Sequence, residues 1–158
     1  MVSLCTCASP LGGITLAEAD GALIGLWFDG QKHFLRGVGP DEGRIRQTTA
    51  VLEAAMRWLD DYFAGRPTGP LPPLAPRGTA FERRVWRRLQ DIPRGQTVTY
   101  GQLAGELGSS ARAVGGAVGR NPVSILIPCH RVVGADGRLT GYAGGLERKL
   151  ALLKLEQV

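Results

Sequence analysis

Apolar positions recur at two different periods along this chain. Between Ile14 and Phe28 they form short dense blocks, Ile14–Ala17 and Ala22–Phe28, on either side of Asp20-Gly21. Such blocks around a turn pair predict two short strands. From Arg46 to Phe63 the period lengthens. Val51, Ala55, Trp58 and Tyr62 lie four, three and four apart, which is one face of a helix, and Gly65 and Pro67 stop it. Residues 64–78, AGRPTGPLPPLAPRG, hold five prolines and three glycines without any period and predict a linker or a long surface crossing. Beyond it the pattern is mostly helical. Thr79-x-x-Glu82 is a capping box ahead of Phe81, Val85, Leu89 and Ile92, with Arg83, Arg84, Arg87 and Arg88 on the other side and Pro93 at the end. Thr99-x-x-Gln102 opens a second helix, Tyr100–Leu107, which Gly108 suits as a left-handed terminator. Ser109 or Ser110 can cap a third, Ala111–Arg120. Two short helices joined by a Gly-containing turn predict a helix-turn-helix. After Asn121-Pro122, Ser124–Ile127 reads as a short apolar strand and Leu146–Gln157 as a final helix.

The expected fold is α+β. A small N-terminal antiparallel sheet plus a helix (residues 1–76) is joined by the Pro-rich linker to a mostly helical C-terminal domain (residues 77–158). That domain carries the helix-turn-helix and a short active-site strand.

Composition narrows the function. At 158 residues and 44% hydrophobic content the chain is long enough for a normal core. No apolar run nears the ~20 residues of a membrane helix, and MVSLCTCASPLGG lacks the parts of a secretory signal. Three cysteines are too few for a disulfide framework. These features predict a cytoplasmic protein without membrane contact. The net charge of +5 is one-sided. Residues 1–78 hold seven basic and eight acidic residues, whereas residues 79–158 hold twelve and six. A basic half is the footprint of a polyanion partner, although an Arg-rich solvated surface would read the same way.

Gly115, Gly116 and Gly119 inside a helix each cost about 1 kcal/mol against Ala. Either tight packing on a neighbouring helix or a sugar-phosphate backbone pressed against this one would offset that, with Arg112 reaching into the duplex in the second case. Cys129-His130 is the minimum for thiolate chemistry. On a strand these side chains point to opposite faces, so unless the backbone turns there a bridging water would carry the proton to His130. Glu147 and Glu156 are the carboxylates available to orient the imidazole. Cys5, Cys7 and His33 are the only other metal-ligand types in question and have no known zinc spacing, so no metal and no cofactor are expected. The N-terminal half shows no chemistry of its own.

The run IPCHRVV, with NPVSILI before it and GYAGGLERKLALLKLE after it, resembles the O6-alkylguanine-DNA alkyltransferases. The likeness runs from about Thr79 to Glu156, and SPLGGITLA and GLWFDGQKHF resemble the family's variable, ribonuclease H-like N-terminal domain. The resemblance implies a single-turnover DNA repair protein. It would flip O6-alkylguanine, and O4-alkylthymine too, out of a duplex held by its minor groove, and transfer the alkyl group to its own Cys129. It implies His130 as the water-linked base and Glu156, chosen over Glu147, as the carboxylate that orients it. Asn121 would join the two segments of the site, and Tyr100 would be acid toward guanine N3. Arg112 would be the finger that replaces the flipped base, with Gly115 and Gly116 on the helix face against DNA. The Val132 carbonyl would accept from the exocyclic amine, and Tyr142 and Ala143 would cover the base. Ala143 stands where members often have Ser, and Ser124 where some have Pro. A monomer in solution, with cooperative assembly on DNA, is also implied.

Two other classes use parts of this pattern. A non-catalytic helix-turn-helix regulator or lesion sensor explains the charge and glycines but leaves Cys129-His130 idle. A Cys-His hydrolase explains Cys129, His130 and Glu156 but not Arg112 and the basic helices.

Overall fold

The computed structural model describes residues 1–157. Strands β1 (Val2–Cys7), β2 (Ile14–Ala19), β3 (Ala22–Phe28) and β4 (Arg44–Arg46) form one sheet in the order β3-β2-β1-β4. The β2–β3 hairpin turns at Asp20-Gly21, both with positive φ, as the sequence requires. β1–β2 and β2–β3 are antiparallel, but β4 runs parallel to β1. The sheet is therefore mixed rather than purely antiparallel. β4 arrives after the long excursion through residues 29–43, so no tight turn dictates its direction.

Helix α1 (Ala50–Phe63) packs on β2 and β3. It starts at Ala50 and not at Arg46, because Arg44–Arg46 pairs with β1 and Thr49 Oγ1 caps Leu52 N at 3.3 Å. Its buried residues are Leu52, Ala55, Leu59 and Tyr62. Val51 and Trp58 flank that stripe, and the Trp58 indole N–H donates to Gly69 O at 3.2 Å.

The Pro-rich segment is pinned to the outer edge of β3 rather than free. Leu23 N donates to Pro73 O at 2.8 Å, and Ala75 N to Leu23 O at 2.9 Å. Further along the same edge, Leu26 N donates to Pro122 O and Ser124 N to Leu26 O. An edge that would otherwise offer unpaired backbone groups is thus covered by the Pro-rich segment and by the C-terminal half. One buried cluster runs from Ile14, Phe28 and Leu59 through Trp86 and Leu103 to Ile127 and Cys129.

The C-terminal half contains α2 (Ala80–Leu89), β5 (Val98–Thr99), α3 (Tyr100–Leu107), α4 (Ala111–Gly119), β6 (Val132–Val133) and α5 (Leu146–Leu155). Both capping boxes form, Gly108 is left-handed, and Ser110 caps α4. α4 is fixed on α2 by two bonds. Trp86 Nε1 donates to Ala117 O at 2.8 Å, and Arg120 Nε to the buried Glu82 Oε2 at 2.6 Å.

Two local expectations are corrected. Ser124–Ile127 is a turn, not a strand, with Ile125 at φ +71°. Cys129 and His130 lie in a 3-10 turn, Cys129–Arg131. The cause is Asn121. Its Nδ2 donates to Ile127 O at 2.8 Å and to Val123 O at 3.3 Å, while its Oδ1 accepts from Val123 N at 3.0 Å. One side chain thus supplies bonds that a neighbouring strand would otherwise have made. Among the described residues no helix is long and apolar enough to cross a membrane.

Candidate active site

Cys129 follows directly from the loop that Asn121 ties. It is buried, with 5% of its surface exposed, and its N–H bonds Ile127 O at 2.8 Å. Burial pushes its thiol pKa up. The Asn121 side chain, the Lys149 ammonium and the N–H groups of Cys129 and His130 work against that rise. The resting thiol is protonated, in surroundings already built to receive a negative sulfur.

His130 is fully buried. Its Nε2 lies 2.7 Å from Glu156 Oε2. Burial lowers its pKa, against the pull of Glu156. A neutral ring bonded to a carboxylate carries its proton on Nε2, which leaves Nδ1 as the basic atom. Nδ1 is buried and has no partner among the described residues. The 3-10 turn places this ring immediately after the thiol, so one water could bridge them.

Glu156 caps the end of α5. Burial alone would raise its pKa. Hydrogen bonds from His130, Arg131 and Tyr62 outweigh this and hold the carboxyl well below the usual carboxylate range. Arg131 is bidentate, Nε to Oε1 at 2.8 Å and Nη2 to Oε2 at 3.0 Å, and its Nη1 reaches Ile92 O at 2.7 Å. Tyr62 Oη donates to Oε2 at 2.6 Å. Glu147 is exposed and stands apart from this cluster.

A cleft of about 370 Å³ is lined by Tyr100, Gly115, Gly116, Gly119, Tyr142 and Ala143, together with Lys32 and His33 from the loop after β3. That loop is fastened to the site by Lys32 N, which donates to Ala143 O at 3.1 Å. Tyr100 opens α3 and donates to Thr140 O at 3.2 Å. Val132 O accepts from Lys149 Nζ at 2.6 Å. Arg112 is exposed on α4. Gly115 and Gly119 are not forced by internal packing. A Cβ on Gly115 would make ordinary contact with the Tyr100 ring at 3.8 Å, and one on Gly119 would meet nothing within 4 Å. On Gly116 it would crowd the Arg120 guanidinium at 3.0 Å, a group that Glu82 holds in place.

The expected residues therefore gather in one place: Cys129, His130 and Glu156 form a buried cluster beside the loop that Asn121 ties, and Tyr100, Tyr142, Ala143, Gly115 and Gly116 line the cleft. Arg112 stands outside both. Three neighbours of this cluster were not foreseen. Tyr62 reaches Glu156 from the N-terminal half, where no chemistry was expected, and Arg131 was passed over inside its own motif. Lys149 is fully buried and donates to Val132 O, Thr140 O and Gly141 O. Its signal was available. Lys149, Leu152, Leu153 and Glu156 sit at helical spacing on one stripe, and a charge amid buried leucines marks a functional face. Cys5 and Cys7 lie on β1. Among the described residues no group of three or more His, Cys, Asp or Glu comes together as a metal site would need.

Comparison with known proteins agrees along the whole chain. Residues 80–158 match the family model for the 6-O-methylguanine DNA methyltransferase DNA binding domain, and residues 4–71 the one for its ribonuclease-like domain. A methylated-DNA–protein-cysteine methyltransferase of Mycolicibacterium paratuberculosis is 44% identical over 99% of this chain and 93% of its own. One of Methanosarcina acetivorans is 53% identical over 94% of each. Among solved structures, Mycobacterium tuberculosis OGT in complex with DNA superposes with a TM-score of 0.84 at 41% identity, covering 99% of this chain and 92% of that one. Matched in both halves and along its full length, this chain belongs to the O6-methylguanine DNA methyltransferase family.

Proposed function

We propose that this protein repairs DNA by moving an alkyl group from guanine O6 onto the Sγ of its own Cys129, once per molecule. The observation that carries this reading is the buried Cys129-His130-Glu156 arrangement behind a cleft walled by the glycine face of α4. A target carbon inside a duplex must be brought out before a buried thiol can reach it. The open surface over Gly119 and Gly115 suits close approach of a nucleic-acid backbone, and the basic C-terminal half supplies phosphate contacts.

The thiol proton passes through a water to His130 Nδ1. Sγ attacks the alkyl carbon in line, the S–C bond forms and the C–O6 bond breaks, and the electron pair stays on the guanine. Tyr100 donates a proton toward guanine N3, which makes the base a better leaving group, and the thiol's proton replaces the one that Tyr100 gives up. Glu156 stabilises the imidazolium between these events. The Val132 carbonyl has a second lone pair beyond the one Lys149 uses, and it receives the exocyclic amine. Tyr142 and Ala143 close over the base, and Arg112 fills the stack behind it. The product is a thioether with no easy leaving group, so the chain is consumed.

The same reading includes minor-groove entry of α4 and a cytoplasmic monomer that lines up cooperatively on DNA. It also includes activity on O4-alkylthymine and a domain boundary at residues 76/77. Replacement of Cys129 by Ala tests it. Methyl transfer from a duplex containing O6-methylguanine should vanish while binding to that duplex persists. Transfer retained on another residue would contradict it.

A further inference from the structure

We propose that Tyr62, a residue of the N-terminal half, is a positioning residue of the proton relay, its hydroxyl holding the Glu156 carboxylate in the orientation that turns the free nitrogen of His130 toward Cys129. This rests on the reading of Cys129 as the alkyl acceptor.

Glu156 Oε2 receives Tyr62 Oη at 2.6 Å, His130 Nε2 at 2.7 Å and Arg131 Nη2 at 3.0 Å. Tyr62 is 1% and Glu156 4% exposed, so water does not compete for these bonds. Burial, and then the Glu156 charge, push the Tyr62 phenol far above its ordinary pKa. It stays protonated, and toward a carboxylate it can only donate. The ring is held on its sides. Trp58 stacks on it at 5.4 Å and 12°, Phe63 meets it edge-on at 5.2 Å, and the Arg94 guanidinium lies 5.2 Å from its centre. Three donors on one oxygen divide the carboxylate's charge. Less of it falls on His130, which stays a neutral ring with a free Nδ1.

The charged groups acting on His130 are Glu156 and Lys149 from α5 and its end, and Arg131 from its own turn. Arg94 acts on Tyr62. Each of these carries a formal charge. Replacing Tyr62 removes a donor from the relay while leaving every formal charge in place.

The test is Tyr62→Phe, which keeps the packed ring. The chain has two histidines, so the imidazole signals of His33 and His130 can be followed separately by NMR through a pH titration. With one donor fewer, more of the Glu156 charge falls on His130. Its titration midpoint should rise by about half a pH unit, and that of His33 should not move. The acid limb of single-turnover methyl transfer should shift the same way. If Tyr62→Phe does not fold, 3-fluorotyrosine placed at position 62, a stronger donor, should move the His130 midpoint down. An unmoved His130 midpoint, even with lower stability, would show that Tyr62 only packs and would overturn the inference. A shifted midpoint with no methyl transfer in the wild type or the variant would uphold it and remove the alkyltransferase reading instead.

Discussion

The ammonium of Lys149 lies 2.6 Å from the carbonyl oxygen of Val132, three residues beyond Cys129. From this buried point it also ties Thr140 O and Gly141 O, the two residues before Tyr142. One cation therefore fixes the turn after Cys129 and the loop over the cleft, and lies close enough to favour a thiolate. Burial brings its pKa down to about 8, against the attraction of Cys129. Unfolded, a lysine titrates near ~10.4. Between these values the unfolded chain holds more protons than the folded one, so stability rises with pH across that window. Relative to Lys149→Met, the wild type should gain in urea unfolding free energy from pH 8 to pH 10. A difference that stays flat would contradict a buried ammonium. The same variant should transfer methyl groups at least about tenfold more slowly at pH 7.5, the loss of a charge-assisted hydrogen bond.

Asn121 makes three bonds to the loop that leads to Cys129. In Asn121→Ala the Val123 N–H loses its partner, and the Ile127 and Val123 carbonyls each lose one of two donors, keeping Cys129 N and Ile127 N; a buried N–H is costly to leave unpaired. Urea titration should show a loss of about 2–4 kcal/mol, and methyl transfer should fall with it. Unchanged stability would mean that the loop finds other partners.

Gly119 separates folding from function. Its Cβ would meet nothing in the free protein, so Gly119→Ala should raise stability by about 0.5–1 kcal/mol. If a DNA backbone lies against α4, the same methyl should weaken duplex binding about tenfold. A gain in stability with unchanged affinity, measured by fluorescence anisotropy, would place DNA elsewhere.

Arg112 projects from α4 outside the relay and the cleft. Arg112→Ala should slow repair of O6-methylguanine in a duplex at least about tenfold, the scale of one lost stacking or polar contact. Reaction with the free modified base should hardly change. Equal losses on both substrates would rule out a role in base extrusion.

Duplex binding should weaken as salt is raised, with a slope that reports the number of phosphates neutralised. A salt-independent affinity would assign the basic half to solubility alone.

Local rules carried the reading wherever one segment decides its own shape. Thr79-x-x-Glu82, Thr99-x-x-Gln102 and Gly108 formed their caps as expected. Expectation failed where a distant partner decides. The direction of β4 depends on β1, and the turn at Ser124–Ile127 depends on the side chain of Asn121. Ile125 at φ +71° breaks the preference of a β-branched residue and is held there by tertiary bonds. The site was legible as a motif, but its support was not. Tyr62 occupies an apolar helical face and reads as core, and its hydroxyl meets Glu156, 94 positions along the chain, only after the chain folds back. Arg131 sits in the open beside His130 in sequence, yet its bidentate grip on Glu156 requires the end of α5.

One covalent transfer to one cysteine is read directly by intact-protein mass spectrometry. The protein would be incubated with a duplex carrying a single O6-methylguanine. A stoichiometric gain of ~14 Da, located at Cys129 by peptide mapping and absent in Cys129→Ala, is the expected result for a nucleophile that keeps its adduct. No gain in mass despite tight binding to the lesion would contradict the claim and make the protein a sensor of damaged DNA.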